Sequence, residues 1–332
     1  MAGAPRTAGP RTTGGARIAL IIILKRTGSA LLTLLLVSLV IFTISGLLPG
    51  DAAQEMLGQS ATADQLAALR HQLGLDQPGY VRYFAWLGGM LTGDAGQSMV
   101  ANLPVTAVIV DRLPNTLTLA SLTTIVAVPL ALLIGIVSAM NRGGRLDRAL
   151  NVATLSMVAL PEFLVATIAV LIFSVELRWL PSIAMVSDDA DWGTFLRSYA
   201  MPVMALCVVV VAQMARMTRA AVIDQLGQPY VEMALLKGFH PARIVIRHVL
   251  PNAIAPIVNA MALSLSYLLG GAIIVETIFN YPGLASLMVN AVTSRDMPLL
   301  QACAMIFCAA YLLLVLIADV VAILANPRLR SQ

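Results

Sequence analysis

Six apolar stretches, each as long as a bilayer is thick, limit this chain more than any other feature. They run over about Thr27–Leu48, Leu113–Met140, Leu150–Val175, Ser198–Val222, Pro251–Phe279 and Pro298–Leu324. An α-helix needs about 20 mainly apolar residues to cross the hydrocarbon core of a bilayer. Backbone polar groups in lipid must be satisfied within the segment itself, so the stretches predict an all-α, polytopic membrane protein with six transmembrane helices. Composition agrees, with 59% hydrophobic and 11% charged residues, where a soluble domain carries about 25% charged.

Charge placement orients the spans. The first apolar segment, 18–48, is interrupted by Lys25 and Arg26. A cation at the bilayer centre costs about 2.5–3.5 kcal/mol, so residues 18–26 read as an interfacial start and the embedded part as beginning near Thr27. Its length exceeds the core of a signal peptide, which predicts an uncleaved span. With both termini on the inner side, the inward segments hold 15 of the 21 Lys and Arg residues, as the positive-inside rule demands. The basic residues cluster at span ends without interleaved aromatics, which argues against nucleic acid. Cys207, Cys303 and Cys308 all lie in apolar runs and read as buried hydrophobes, with no metal site or disulfide framework.

Outside the spans, residues 1–17 are rich in Ala, Gly, Pro and Thr and predict a disordered cytosolic tail, with a second short tail at 325–332. Residues 49–104 are too long for a turn and predict an extracytoplasmic helical lid laid on the membrane face, with a structured connector as the alternative. In it, Thr62-Ala-Asp-Gln65 matches a capping box, Gly74 is a stop, and Tyr80–Leu91 is an amphipathic piece. The remaining 105–324 form a five-helix core.

Within that core, the segment 224–250 is the least lipid-like. Gly227-Gln228-Pro229 ends one helix and starts another, because proline is pre-organised for a first helical turn. Tyr230 to Lys237 make about two turns, Gly238 closes them, and His240-Pro241 starts the helix that re-enters the membrane. Glu232 near the positive end of this short helix and Lys237 near the negative end both suit its dipole. Dipole electrostatics do not explain a short helix held between two breaks and tied directly to two spans. That arrangement suits a handle by which another subunit moves them.

The pattern E-M-A-x-x-x-G-x(9)-H-x-L-P, with Glu232, Ala234, Gly238, Leu250 and Pro251 in register, resembles the EAA loop of permease subunits of binding-protein-dependent ATP-binding-cassette importers. Met233 and His248 depart from the commonest form, but KGFHPARIVIRHVLPNAIAPIV is similar to the dipeptide/oligopeptide/nickel permease variant. So are SGLLPGD, LGLDQPGYVRYFAWLGGMLTGDAGQS, RLPNTLTLA, LPEF, VETIFNYPGLASL and NPRLR, so that the likeness reaches from about Arg17 to Arg330.

The resemblance implies the type I importer architecture in a bacterial inner membrane, with 224–250 as the coupling loop. It implies a second permease chain, two ATPase subunits inside, a solute-binding protein outside, and a peptide or related solute such as a nickel chelate. It places the grip for the ATPase on Tyr230, Glu232, Ala234, Lys237 and Gly238, with Ala234 and Gly238 permitting close approach and Glu232 meeting a basic partner residue. The residues agree that ATP is not held here, since no GxxxxGK[ST] loop occurs. That absence predicts a non-catalytic subunit without a cofactor.

Ionisable and polar residues inside spans are candidates for the substrate path by default. Glu162 follows Pro161 in span three, Gln213 lies in span four, and Glu276 lies at the outer end of span five. Glu276 is equally an acid that positions the segment after it, and Asp319 suits pairing with a basic inner residue. Pro129, Pro161, Pro202 and Pro256 are candidate hinges. An ion-driven secondary transporter would need a coupling-ion site and an internal repeat, and neither is visible. A membrane enzyme would need a matched nucleophile and base, and His71, His240 and His248 have none.

Overall fold

Uninterrupted Leu, Ile, Val and Ala runs propagate helix cheaply once a first turn exists. In the computed structural model, which describes residues 13–47, 62–72, 76–184 and 191–325, they form twelve α-helices. These are α1 (Thr13–Leu47), α2 (Ala63–Gln72), α3 (Gly79–Thr92), α4 (Val105–Met140), α5 (Arg145–Ala159) and α6 (Glu162–Ala169), the last prolonged by a π turn at Val170–Glu176. Then come α7 (Trp192–Leu226), α8 (Pro229–Leu236), α9 (Pro241–Ile244), a π turn at Val245–Val249, α10 (Leu250–Ile278), α11 (Leu284–Thr293) and α12 (Met297–Ala325). Among the described residues the only β pairing is an isolated bridge between Gln97 and Pro104.

Five of these helical segments are long and apolar enough to cross a membrane, and α5 with α6 makes a sixth only as a bent pair. That pair covers the span expected over Leu150–Val175 and breaks it at Pro161, one of the candidate hinges. The two helices meet at 97°, with Leu160 and Pro161 both extended at the break. Pro161 biases the residue before it towards extended backbone and has no N–H to return to the preceding turn. Pro129, Pro202 and Pro256 instead lie inside single helices.

Helix α1 begins at Thr13, inside the segment expected to be a disordered tail, and passes through Lys25 and Arg26 without a break. Adding turns to an existing helix avoids the nucleation cost. The rest of that tail, the motif SGLLPGD beyond Leu47, the first part of the expected lid, Gly74 and the terminal NPRLR lie outside the described residues. The capping box at Thr62 forms: the Gln65 N–H donates to Thr62 Oγ1 at 3.4 Å and the Thr62 N–H to Gln65 Oε1 at 3.0 Å.

The core is a column centred on α7. Ala127 and Ala131 of α4 lie one turn apart, with Gly135 a turn further on, and they let α4 close on α7 residues Cys207, Val211, Met214 and Ala215. Small residues at such intervals are the usual means of close helix contact where lipid supplies no hydrophobic drive. One end of the column is packed by Leu119, Tyr199, Leu206, Val275 and Phe279. The other is packed by Ala139, Val222, Ile244, Val249 and Ala253. Helix α1 stands at the edge against α12, joined by Arg26–Asp319 at 3.3 Å near one end and by Gln301–Ser45 near the other.

Candidate functional site

The helix α8 is a local product of two X-Pro pairs and one glycine. Gln228 and His240 both precede proline and both are extended, which isolates α8 from α7 on one side and from α9 on the other. Pro229 occupies the first helical position, where its missing N–H is no loss. At the other end Gly238 has φ +78°. Its N–H donates to the Leu235 carbonyl at 2.9 Å, and the Phe239 N–H donates to the Ala234 carbonyl at 3.2 Å. These two bonds make a Schellman stop, which needs a left-handed residue that glycine adopts without penalty.

The two faces of α8 differ. Val231 and Ala234, three apart, are buried among Ala139, Ala221, Val222, Ile244 and Ala253. Ala234, expected to let a partner approach closely, is buried in the cluster that also holds residues of α4, α7, α9 and α10. The other face presents Glu232, Met233, Leu235, Leu236 and Lys237, with Leu236 77% exposed. Tyr230 donates to Gln225 Oε1 at 2.9 Å, across the break to α7, and burial pushes its phenol above the usual range. Arg243 lies over the Phe239 ring, 5.4 Å from its centroid, so the turn after α8 is also held.

Beyond α8 the chain re-enters the bundle through a π turn at Val245–Val249. Pro251 has no N–H for the Arg247 carbonyl, and its ring crowds that carbonyl, which explains the widened turn just before it.

Next to this end lies a polar cluster that reading along the chain did not find. Arg219 of α7 makes a bidentate pair with Asp147 of α5, at 2.8 and 2.9 Å. Asp147 also accepts from Ser138 of α4 at 2.6 Å, from the Gly143 N–H at 2.9 Å and from Asn151 at 2.7 Å. Every oxygen of this buried carboxylate is used, which is what a charge away from water requires. The pair fastens the α4–α5 corner to α7 two turns before α8. Its members are 72 residues apart, and each lies among other charges, Asp147 between Arg145 and Arg148 and Arg219 beside Arg216, so the sequence did not single out the pair.

The three path candidates part company. Glu276 is fully buried. It accepts from Thr116 Oγ1 at 2.7 Å and from the Ser286 N–H at 2.9 Å. Thr116 also accepts from the Leu284 N–H at 2.7 Å. Around it, Tyr281 donates to the Asn115 carbonyl, and Asn115 donates to the Pro282 carbonyl. Glu276 therefore knots α4, the end of α10 and the start of α11, matching the alternative reading of an acid that positions the following segment.

Glu162 stands at the α5–α6 break, buried, with its carboxylate against Gly271 of α10. A Cβ at 271 would fall 2.8 Å from Oε1. Neither Glu162 nor Gln213, which is half-buried on α7, forms a side-chain hydrogen bond among the described residues. The structure does not bring Glu162, Gln213 and Glu276 together as one cluster. Asp319 is paired with Arg26. No group of three or more His, Cys, Asp or Glu residues able to hold a metal occurs among the described residues.

Known proteins share this arrangement. Residues 131–331 match the family described as binding-protein-dependent transport system inner membrane component, and residues 19–120 match the corresponding N-terminal family. The chain is 37% identical over 310 residues to the glutathione transport system permease protein GsiC of Salmonella typhimurium strain LT2, covering 93% of this chain and 99% of that protein. It is 36% identical over the same length to GsiC of Escherichia coli K12, with the same coverage. Solved inward-facing structures of the MetNI methionine ABC transporter cover 66% of this chain and 96% of theirs, with TM-scores of 0.54 and 0.56 at 17% identity, a likeness of fold.

Proposed function

The chain belongs to the family of binding-protein-dependent transport system inner membrane components, as a permease subunit of a peptide-type ATP-binding-cassette importer, and from that premise we propose how it works. It forms a translocation path with a second permease chain, receives solute from an external binding protein, and is driven by two ATPase subunits on the side of α8. Both termini lie on that side, in the cytoplasm, as the charge distribution requires. The solute is a small peptide or peptide-like compound. Glutathione, a tripeptide, is one model, because two relatives matched over nearly their full length are glutathione transport system permease proteins.

The observation that carries this reading is the two-faced α8. One face is buried in a cluster that also holds residues of α4, α7 and α10, so a force on it can be passed to those spans. The other face offers Met233, Leu235 and Leu236 to an apolar groove, with Glu232 and Lys237 beside them for charged partner residues. Tyr230 and Gly238 hold the helix at its two ends, while Ala234 seats it. An apolar stripe of this size facing water is otherwise a liability. Glu162 and Gln213, polar and without a side-chain hydrogen bond among the described residues, are the groups for the path, and Glu276 holds its outer wall.

The test is a Leu236→Asp chain expressed with the ATPases encoded beside it. The expected outcome is a normally abundant permease that no longer co-purifies with the ATPases and loses ATP-dependent uptake of labelled glutathione or a dipeptide. Retained ATPase binding would remove α8 as the grip. Loss of binding in a chain that had never transported peptide would leave the grip and overturn only the substrate.

A further inference from the structure

The helix α3 has an inner and an outer face, and its only charged residue is on the wrong side for a helix in water. Tyr83 points into the molecule: its hydroxyl hydrogen-bonds Ser38 of α1 at 2.8 Å, and its ring meets Phe42 edge-on at 5.5 Å. Trp86 lies 5.6 Å from the same Phe42. Arg82, the one charge in GYVRYFAWLGGMLT, folds over Phe42 with its guanidinium 6.0 Å from the ring centroid. The opposite face carries Tyr80, Phe84 and Leu91, exposed by 69%, 66% and 81%, with Val81 at its side. Positions 80, 84 and 91 fall on one line of a helix, and no charged residue interrupts it.

Depth decides what covers this stripe. The two polar links between α1 and α12, Arg26–Asp319 and Ser45–Gln301, are 19 and 18 residues apart along their helices. At about 1.5 Å per residue that is roughly 28 Å, close to the roughly 30 Å of a hydrocarbon core. Phe42 then lies about 4–5 Å below the Ser45 level and Ser38 about 10 Å below it. Where it meets α1, through Ser38 and Phe42, α3 lies below the polar link, while its Met90 packs against the cluster of Val105, Leu284 and Leu299. Interfacial helices bury their apolar face about 5–10 Å into the headgroup–acyl boundary. The Ser38–Tyr83 bond is itself sealed, with Ser38 fully buried, as a hydroxyl at that depth must be.

We infer that α3 is a membrane-embedded helix, with Tyr80, Phe84 and Leu91 against phospholipid acyl chains of the leaflet at its end of the bundle. The segment read from sequence as a lid is thus rooted in lipid at α3 and held to α1 there. Helix α1 likewise exposes Leu35, Leu39 and Val40, as a span facing lipid does.

Phe84→Trp places a reporter in the stripe with a conservative change, and Leu91→Trp gives an independent second position. Each full chain, isolated with its co-purifying subunits, is reconstituted into phosphatidylcholine–phosphatidylglycerol vesicles, with or without bromine at carbons 6 and 7 of one acyl chain. The added fluorescence is obtained by subtracting that of the natural chain, which carries Trp86, Trp179 and Trp192. The expected result is a several-fold loss of that added signal with brominated lipid and little loss with aqueous iodide. Quenching by iodide instead places α3 in water and overturns the proposal. Quenching by neither shows the stripe covered by a second permease chain or a binding protein, and overturns it equally.

Discussion

The two ends of α10 are built on opposite plans. At Leu250 it follows α8 and its turn, where most residues are exposed and the fold is held by local devices: two prolines, one glycine and a Schellman stop. At Ile278 it ends in a knot of buried hydrogen bonds around Glu276 that joins three helices and leaves no free surface. A structure that must be gripped needs an accessible face and a firm seat. A wall that must follow needs its parts fixed to one another. The difference separates residues whose loss costs stability from residues whose loss costs coupling.

That separation can be broken by experiment, starting with the largest effect. Glu276→Ala strips the Thr116 hydroxyl and the Ser286 N–H of their acceptor. Orphaned buried donors cost about 1–3 kcal/mol each, so a loss of about 3–4 kcal/mol and a steep fall in the unfolding temperature of the detergent-solubilised chain are expected. A chain of unchanged thermal stability would sink the view of Glu276 as a wall residue and return it to the path. Gly283→Ala is expected to cost somewhat less, about 2–3 kcal/mol in the same melt, as an overpacked site does. Its added Cβ would collide with the Glu276 carboxyl group, which Thr116 and Ser286 hold in place.

The smallest effect on stability is expected at the handle. A Cβ at Gly238 meets open space, so only its φ of +78° resists substitution. A left-handed residue other than glycine costs about 1–2 kcal/mol. Gly238→Val should leave membrane abundance and the melt nearly intact, yet change the pitch of α8 enough to abolish ATP-dependent uptake. Normal uptake by this chain would show that the end of α8 is not gripped. If instead it melted as early as Glu276→Ala, the two ends of α10 would not differ in the way drawn here.

Legibility followed locality. The breaks at Pro229, Gly238 and Pro241 were readable because the residues that cause them lie within one turn of the effect. The capping box at Thr62 and Gln65 was readable for the same reason. The direction of Ala234 was half legible: its spacing from Val231 marks one face, but pairing it with Gly238 as a site of close approach led towards a partner instead of the chain's own core. Asp147–Arg219, Glu276–Thr116 and Ser38–Tyr83 were not legible, since apolar periodicity marks a helix without naming its neighbour. The 97° bend at Leu160-Pro161 was foreseen only as a possible hinge, because proline is tolerated straight in α4, α7 and α10.

By itself, the sequence determined the solvent and the class of fold: apolar runs of this length have to be helices, because lipid offers backbone groups no other partner. It also determined where the helices stop, and through the motif around Glu232 and Gly238 which family the chain joins. Tertiary structure alone decided which acid is buried in donors and which stands unpartnered, which face of α8 is seated, and how deep α3 lies. Those outcomes depend on groups brought together from as many as 256 residues apart. The energy of a buried polar group is set by such neighbours, not by its own position in the chain.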